Sequence, residues 1–294
     1  MNKLALLLLP IVGFAQAQVV GVGNFIHNVA DLDKSVAFYH DVLGLEMQRP
    51  ASAFLNTPEV LNLYNAAGGE YRVATAQVPG VPMRIELAEF KGVERKPVRR
   101  GISEPGASIL VLTVRDLDPI FANIKAAGLK TLLVPTEMIR GRRLVALADP
   151  DGFFVEIVER EDGPAAPAGN FVDLGFAFVV RDASAMARVF FSVGVAPGGS
   201  GDFEVMTAGF ARPFHIEVVE RKKASAPPQN RPQDPGAAVL RLLVRDAGAA
   251  VDNLAKVGVK VVSAKGEMVT LPGATPRHVA ILGAPDNLFI QVMQ

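Results

Sequence analysis

The chain has no cysteine and no tryptophan among its 294 residues. Without cysteine there is no disulfide framework, no thiol nucleophile and no thiolate ligand, so stability must come from buried apolar area. Its 30 basic and 30 acidic side chains balance, which removes the electrostatic footprint expected for binding nucleic acid or an anionic membrane surface. No apolar run reaches the roughly 20 residues a membrane-crossing helix requires. There is no P-loop, no dinucleotide fingerprint in a βαβ setting, no G-x-S-x-G and no H-E-x-x-H. Histidine numbers only four, which leaves few imidazoles to ligate a metal.

What the chain does have begins with a leader-like segment. Lys3, the apolar run Leu4 to Phe14 and Ala15-Gln16-Ala17 read as the three parts of a secretory signal peptide over residues 1–17. The expected protein is therefore exported, periplasmic or secreted, with no membrane anchor. No cysteine follows the run to carry a lipid.

The stretch from Val20 to Met47 sets a pattern that the rest repeats. Phe25, His27 and Val29 alternate with Asn24, Ile26 and Asn28, the period of a strand with two unlike faces. Asp31 stands at a helix N-cap, Leu32, Val36, Tyr39 and Leu43 share one helical face, and Gly44 supplies a left-handed stop. Val29-Ala30-Asp31 recurs as Val114-Arg115-Asp116, Val180-Arg181-Asp182 and Val244-Arg245-Asp246, each followed by a helix ending near Gly128, Gly194 or Gly258. Each unit closes on an apolar strand with a polar residue at a matching place: Glu86, Glu156, Glu217 and Gln291. The chain thus reads as an α+β protein of four βαβββ modules. The Pro, Ala and Gly run Glu161 to Gly169 marks the expected boundary between a first domain, residues 18–160 (modules one and two), and a second, residues 170–294 (modules three and four). The first module is longer, and Thr57 to Ala67 suits a short extra helix over a pocket mouth.

These motifs carry a resemblance. Tandem βαβββ units, with V-x-D-L-D-K-S-x-x-F-Y over Val29 to Tyr39 and D-P-D-G-x-x-x-E-I over Asp149 to Ile157, resemble the vicinal oxygen chelate superfamily. That superfamily includes glyoxalase I, bleomycin-resistance proteins and extradiol dioxygenases. The resemblance implies two curved-sheet domains, each enclosing a cup, and a divalent metal held by residues of the first and closing strands. Here the first-strand positions are Asn24, Ile109, Gly175 and Val239, none of them histidine, against Glu86, Glu156, Glu217 and Gln291.

In the first domain Glu86 and Glu156 are the candidate catalytic carboxylates. Asn24, Asn28 and Arg84 are the candidate ligand-binding groups. Glu86, Glu156 and Asn24 would form an oxygen-only metal set suited to Mg²⁺, Mn²⁺ or Ca²⁺ rather than Zn²⁺ or Fe²⁺. In the second domain His215, Glu217 and Arg241 are expected in one cup, as an ion pair with a nearby imidazole, without a transition metal. His27 is expected behind the sheet and His40 on the surface, while His278 precedes a strand without a visible partner. Two functions follow from the resemblance: an exported protein that binds a small organic molecule in the first cup, or a lyase, isomerase or oxidoreductase using Glu86 and Glu156.

Overall fold

The computed structural model describes residues 18–294 apart from 80, 82, 136–137, 140, 161–168, 199–201 and 209–212. The leader-like segment lies outside the described residues, as does most of the expected boundary stretch. No helix among the described residues is long and apolar enough to cross a membrane.

Four modules follow one another as read. The first holds β1 (Val19–Val29), α1 (Leu32–Ala37), β2 (Glu46–Arg49), α2 (Pro58–Leu63), β3 (Glu70–Gln77) and β4 (Arg84–Lys91). The second holds β5 (Ser108–Val114), α3 (Asp118–Ala126), β6 (Thr131–Leu133), β7 (Met138–Ile139), β8 (Arg142–Ala148) and β9 (Phe154–Glu159). The third holds β10 (Phe171–Val180), α4 (Ala183–Ser192), β11 (Ala196–Pro197), β12 (Phe203–Val205) and β13 (Phe214–Glu220). The fourth holds β14 (Ala238–Val244), α5 (Ala247–Lys256), β15 (Lys260–Val261), β16 (Val269–Leu271), β17 (Arg277–Ala284) and β18 (Leu288–Met293). The extra helix foreseen over Thr57 to Ala67 is α2.

Side chains fasten the start of the first helix of each module. The Asp N-caps accept the amides of Lys34, Ala185 and Ala249 at 3.2, 3.0 and 2.9 Å in three modules, satisfying donors that the helix leaves unpaired. In all four modules the closing strand sends back an acceptor: Glu89 to the Leu32 amide, Glu159 to Leu117, Glu220 to Ala183 and Gln294 to Ala247, at 2.9 to 3.2 Å. Helix and closing strand are therefore fastened to each other within every module.

The modules then pair differently from the order of the sequence. Two nine-stranded sheets form, one running β15-β17-β18-β14-β1-β4-β3-β2 with β16 on β17, the other β11-β12-β13-β10-β5-β9-β8-β6 with β7 on β8. The first sheet joins modules one and four through the antiparallel β1–β14 ladder. The second joins modules two and three through β5–β10. The expectation that modules one and two share a sheet, and three and four the other, is corrected by these ladders. The physical reason lies in the connections. The chain between β9 and β10 returns within one sheet, whereas the two Pro-rich connections, 92–107 and 221–237, cross from one sheet to the other. These crossings brace each other, with the Val98 amide on the Pro235 carbonyl at 2.8 Å and the Lys96 amide on Asp234 at 2.9 Å.

One core lies between the sheets. Phe25 of β1 and Phe176 of β10 meet at 4.7 Å between ring centroids, and Val22, Val29, Ile85, Leu110, Val155, Leu240 and Ile290 belong to the same buried cluster. On its opposite face each sheet keeps a smaller apolar patch, so each cup is a separate compartment.

Candidate functional site

The cup of the first sheet is built from modules one and four. A bulge in β1, where Val22 opposes Leu242 and Phe25 opposes Leu240, lets Val22 and Phe25 both enter the core. Gly23 and Asn24 are left for the cup, as bulges next to sites commonly arrange. Asn24, Arg49, Ser52, Val73, Thr75 and Arg84 line an open groove of about 550 Å³. Deeper in the cup the apolar patch includes Ile26, Val239, Val279 and Phe289, and α2 covers it with Leu61, Leu63 and Tyr64. Tyr64 stacks on Phe90 at 4.9 Å. Burial pushes the Tyr64 phenol well above its usual range, with the nearby Glu86 acting the same way and Arg241 opposing it. Asn65 holds the end of α2 to module four: its Nδ2 donates to the Val262 carbonyl at 2.5 Å and its Oδ1 accepts the Lys265 amide at 3.0 Å.

Glu86 lies in this cup, and its cation is Arg241, with Nη2 to Oε1 at 3.7 Å. Arg241 Nε also donates to Gln291 Oε1, its in-register neighbour on β18. Arg84 shares the face of Glu86 as expected, but Nε donates to Gln77 Oε1 at 3.1 Å. Asn28, expected to bind ligand, is fully buried beneath the second crossing connection, where Nδ2 donates to the Pro232 carbonyl. It fastens that connection instead.

Glu156 is in the other cup, so the two candidate carboxylates are not brought together. In the second sheet Glu156 shares a row with Val111, Gly175 and His215, and Glu217 stands beside Ala177. The expected cluster of His215, Glu217 and Arg241 separates for the same reason: Arg241 belongs to the first sheet, and His215 faces Glu204 at 3.8 Å. His278 lies within β17, with Nδ1 at 3.1 Å from Thr270 Oγ1, so it does have a partner. His40 is on the surface, its Nδ1 at 2.8 Å from the Leu45 carbonyl.

The strand positions at which the resemblance places metal ligands do not all offer donors. In the first cup, Val239 offers no donor, and a guanidinium lies against both Glu86 and Gln291, placing a positive charge where a cation would have to enter. In the second, Ile109 and Gly175 offer no side-chain donor. Three ligand-type atoms do come within 4.8 Å of one another at His27, Asp149 and Asp151, a buried cluster that spacing along the chain could not reveal. Its oxygens are already used. Asp149 Oδ1 accepts the Asp151 and Phe153 amides at 2.9 Å, and Oδ2 accepts from His27 at 2.7 Å and Tyr39 at 3.3 Å. Asp151 accepts the Ala30 amide at 2.8 Å and the Ser35 hydroxyl at 3.2 Å. The cluster is a structural joint, and His27 stands behind the sheet as its strand alternation predicts.

Known proteins sharpen this picture. Residues 21–157 match the family model described as Glyoxalase/Bleomycin resistance protein/Dioxygenase superfamily. A probable lactoylglutathione lyase of Synechocystis sp. is 27% identical over 132 residues, 45% of this chain and 88% of the relative. Glyoxalase I from Zea mays superposes with a TM-score of 0.62 at 16% identity, over 94% of this chain and 92% of that one. A putative dioxygenase from Bacillus subtilis superposes with a TM-score of 0.56 at 14% identity, over 94% and 85%. At these identities the solved structures establish a shared fold.

Proposed function

Residues 21–157, the first two modules, match the glyoxalase/bleomycin resistance protein/dioxygenase superfamily, and from that premise we propose that the protein binds a small organic molecule in the cup of its first sheet without transition-metal chemistry. The observation that carries this reading is the groove of about 550 Å³, a size within the usual range for small-molecule sites. Its walls combine apolar surface from Val73 and Leu55 with hydrogen-bonding groups from Asn24, Ser52 and Thr75. That mixture holds a compact molecule by area and orients it by a few polar contacts. Export through residues 1–17 belongs to the same reading. The test is native mass spectrometry and metal analysis of purified protein, wild type and Thr75→Trp, which fills the groove. A bound small molecule that survives chelator treatment and is lost in Thr75→Trp is the expected result. Stoichiometric zinc or iron, or a ligand indifferent to Thr75→Trp, would refute it.

A lyase-like reading is supported by the similarity to the Synechocystis relative. It would rest proton transfer on Glu86 alone, because Glu156 belongs to the other cup. Loss of turnover in Glu86→Gln with ligand binding intact would favour it over simple binding.

A further inference from the structure

We infer that Arg241 is the resident cation of the first cup, in the place a metal would need, and that with the Gln291 amide it receives the carboxylate of a small organic acid. This rests on the reading that the first cup binds a small molecule, and adds the charge and chemical class of that molecule.

Several features build the site around a guanidinium. Arg241 and Gln291 are register neighbours on parallel strands, so the Nε contact is set by the backbone. Gly23 clears space for the side chain, since a Cβ there would lie 2.6 Å from Arg241 Cδ and 2.9 Å from Cγ. The side chain is only 13% exposed, although guanidinium desolvation is unfavourable unless its donors are met. Of its five N–H donors, one has a hydrogen bond among the described residues, to Gln291. The Glu86 oxygen stands at 3.7 Å, beyond hydrogen-bond reach.

The Gln291 amide supplies the second donor. Because Arg241 Nε can only donate, the amide oxygen must face it, which fixes the orientation that would otherwise be ambiguous. The Nε2 group is then fully buried and has no partner in the described structure. A buried amide donor beside a guanidinium with unspent donors is a preformed receptor for an acceptor-only group carrying negative charge, and a carboxylate is the compact organic group of that kind. The neighbouring groove agrees in sign: Thr75, one of its lining residues, is in register with Glu86, and Arg49 and Arg84 line it while no carboxylate does.

The experiment uses saturation-transfer NMR with matched pairs of small aliphatic and aromatic monocarboxylates and their primary amides. The protein is wild type, Arg241→Gln, Arg241→Lys, Gly23→Ala and, as a remote control beside the second sheet, Lys130→Gln, each checked for cooperative thermal unfolding. Acids should be preferred over their amides by about tenfold or more in wild type, as expected for charge-assisted hydrogen bonds. The preference should vanish in Arg241→Gln and fall in Gly23→Ala. It should survive in part in Arg241→Lys, which keeps charge but loses the forked geometry, and persist in Lys130→Gln. Equal binding of acid and amide by wild type, or a preference unchanged in Arg241→Gln, overturns the inference while leaving the cup a binding site. Binding of neither set overturns it together with the reading on which it rests.

Discussion

His27 stands on β1 of the first sheet and Asp149 in the turn that follows β8 of the second, and their side chains meet at 2.7 Å with no solvent exposure on either side. The imidazole also places Nδ1 at 3.3 Å from the Ala237 carbonyl. Both ring nitrogens thus face acceptors, an arrangement satisfied in full only by the doubly protonated ring. The other half of the chain fills the equivalent positions with Phe178, Phe190 and Ala284 where the first uses His27, Tyr39 and Asp149. Ring separations are nearly kept, 6.4 Å for His27 and Tyr39 and 6.2 Å for Phe178 and Phe190. One molecule therefore solves the same packing problem once with charge and once with hydrocarbon.

Asp149→Ala alone should be severely destabilising, by about 3 to 5 kcal/mol, because it strands a buried imidazolium. Importing the apolar set whole, as His27→Phe, Tyr39→Phe, Asp149→Ala and Phe153→Leu, should recover most of that loss, since well-packed hydrocarbon often equals a buried ion pair. Denaturant unfolding of both variants checks this. A quadruple variant no more stable than Asp149→Ala would refute it.

Stability should also depend on pH through His27. Burial lowers the affinity of the ring for its proton, but Asp149, its hydrogen bond, Asp151 and the Ala237 carbonyl together raise the folded value above the ordinary 6.5. A raised folded value stabilises fully below 6.5 and loses that contribution as pH climbs through the folded value. Melting temperature should fall on the alkaline side in wild type, and this descent should be absent from the quadruple variant. Matching pH profiles for the two proteins would exclude His27 as the titrating group.

Much of the fold is legible in the chain because its signals are local. The Val-x-Asp capping motifs, the left-handed glycines that end the helices (φ 65° to 87° at Gly44, Gly128, Gly194 and Gly258) and the alternation around Glu86 all act within a few residues. The pairing of modules is not legible, because four similar units can close into two sheets in more than one way. That choice carried the site with it: Arg241 does point into a cup, but into the one shared with Glu86. Asp149 was visible only as part of a turn motif, and its partner lies 122 positions away. The one available signal was a difference between repeats, His27 against Phe178 together with Asp149 against Ala284.

Asn65 offers a test of α2 as a cover. It adopts a left-handed φ of 52°, and Lys265, whose amide it accepts, and the adjoining Ala264 have φ of 60° and 43°, conformations that cost non-glycine residues energy. Asn65→Gly keeps the backbone permissible but deletes both side-chain bonds. Hydrogen exchange should quicken in residues 58–66 by roughly tenfold, for about 1 to 2 kcal/mol of lost local stability, while amides of β1 and β14 are unaffected. Uniform acceleration across the protein would show that α2 does not open separately.

The pairing of the first module with the fourth and the second with the third also decides what a half-chain would be. Residues 18–160 alone would present β1 and β5, the two central strands, as bare edges, and such edges seek partners. The isolated half should therefore self-associate in light scattering, whereas a monomer would argue that it closes on itself. Severing the chain within 161–168 would leave two fragments interlaced through both sheets. Their melting temperature should then rise with protein concentration, as it does for a dimer. In its assembly logic the protein is a dimer whose subunits have been joined end to end, and its peptide tether serves to fix a local concentration.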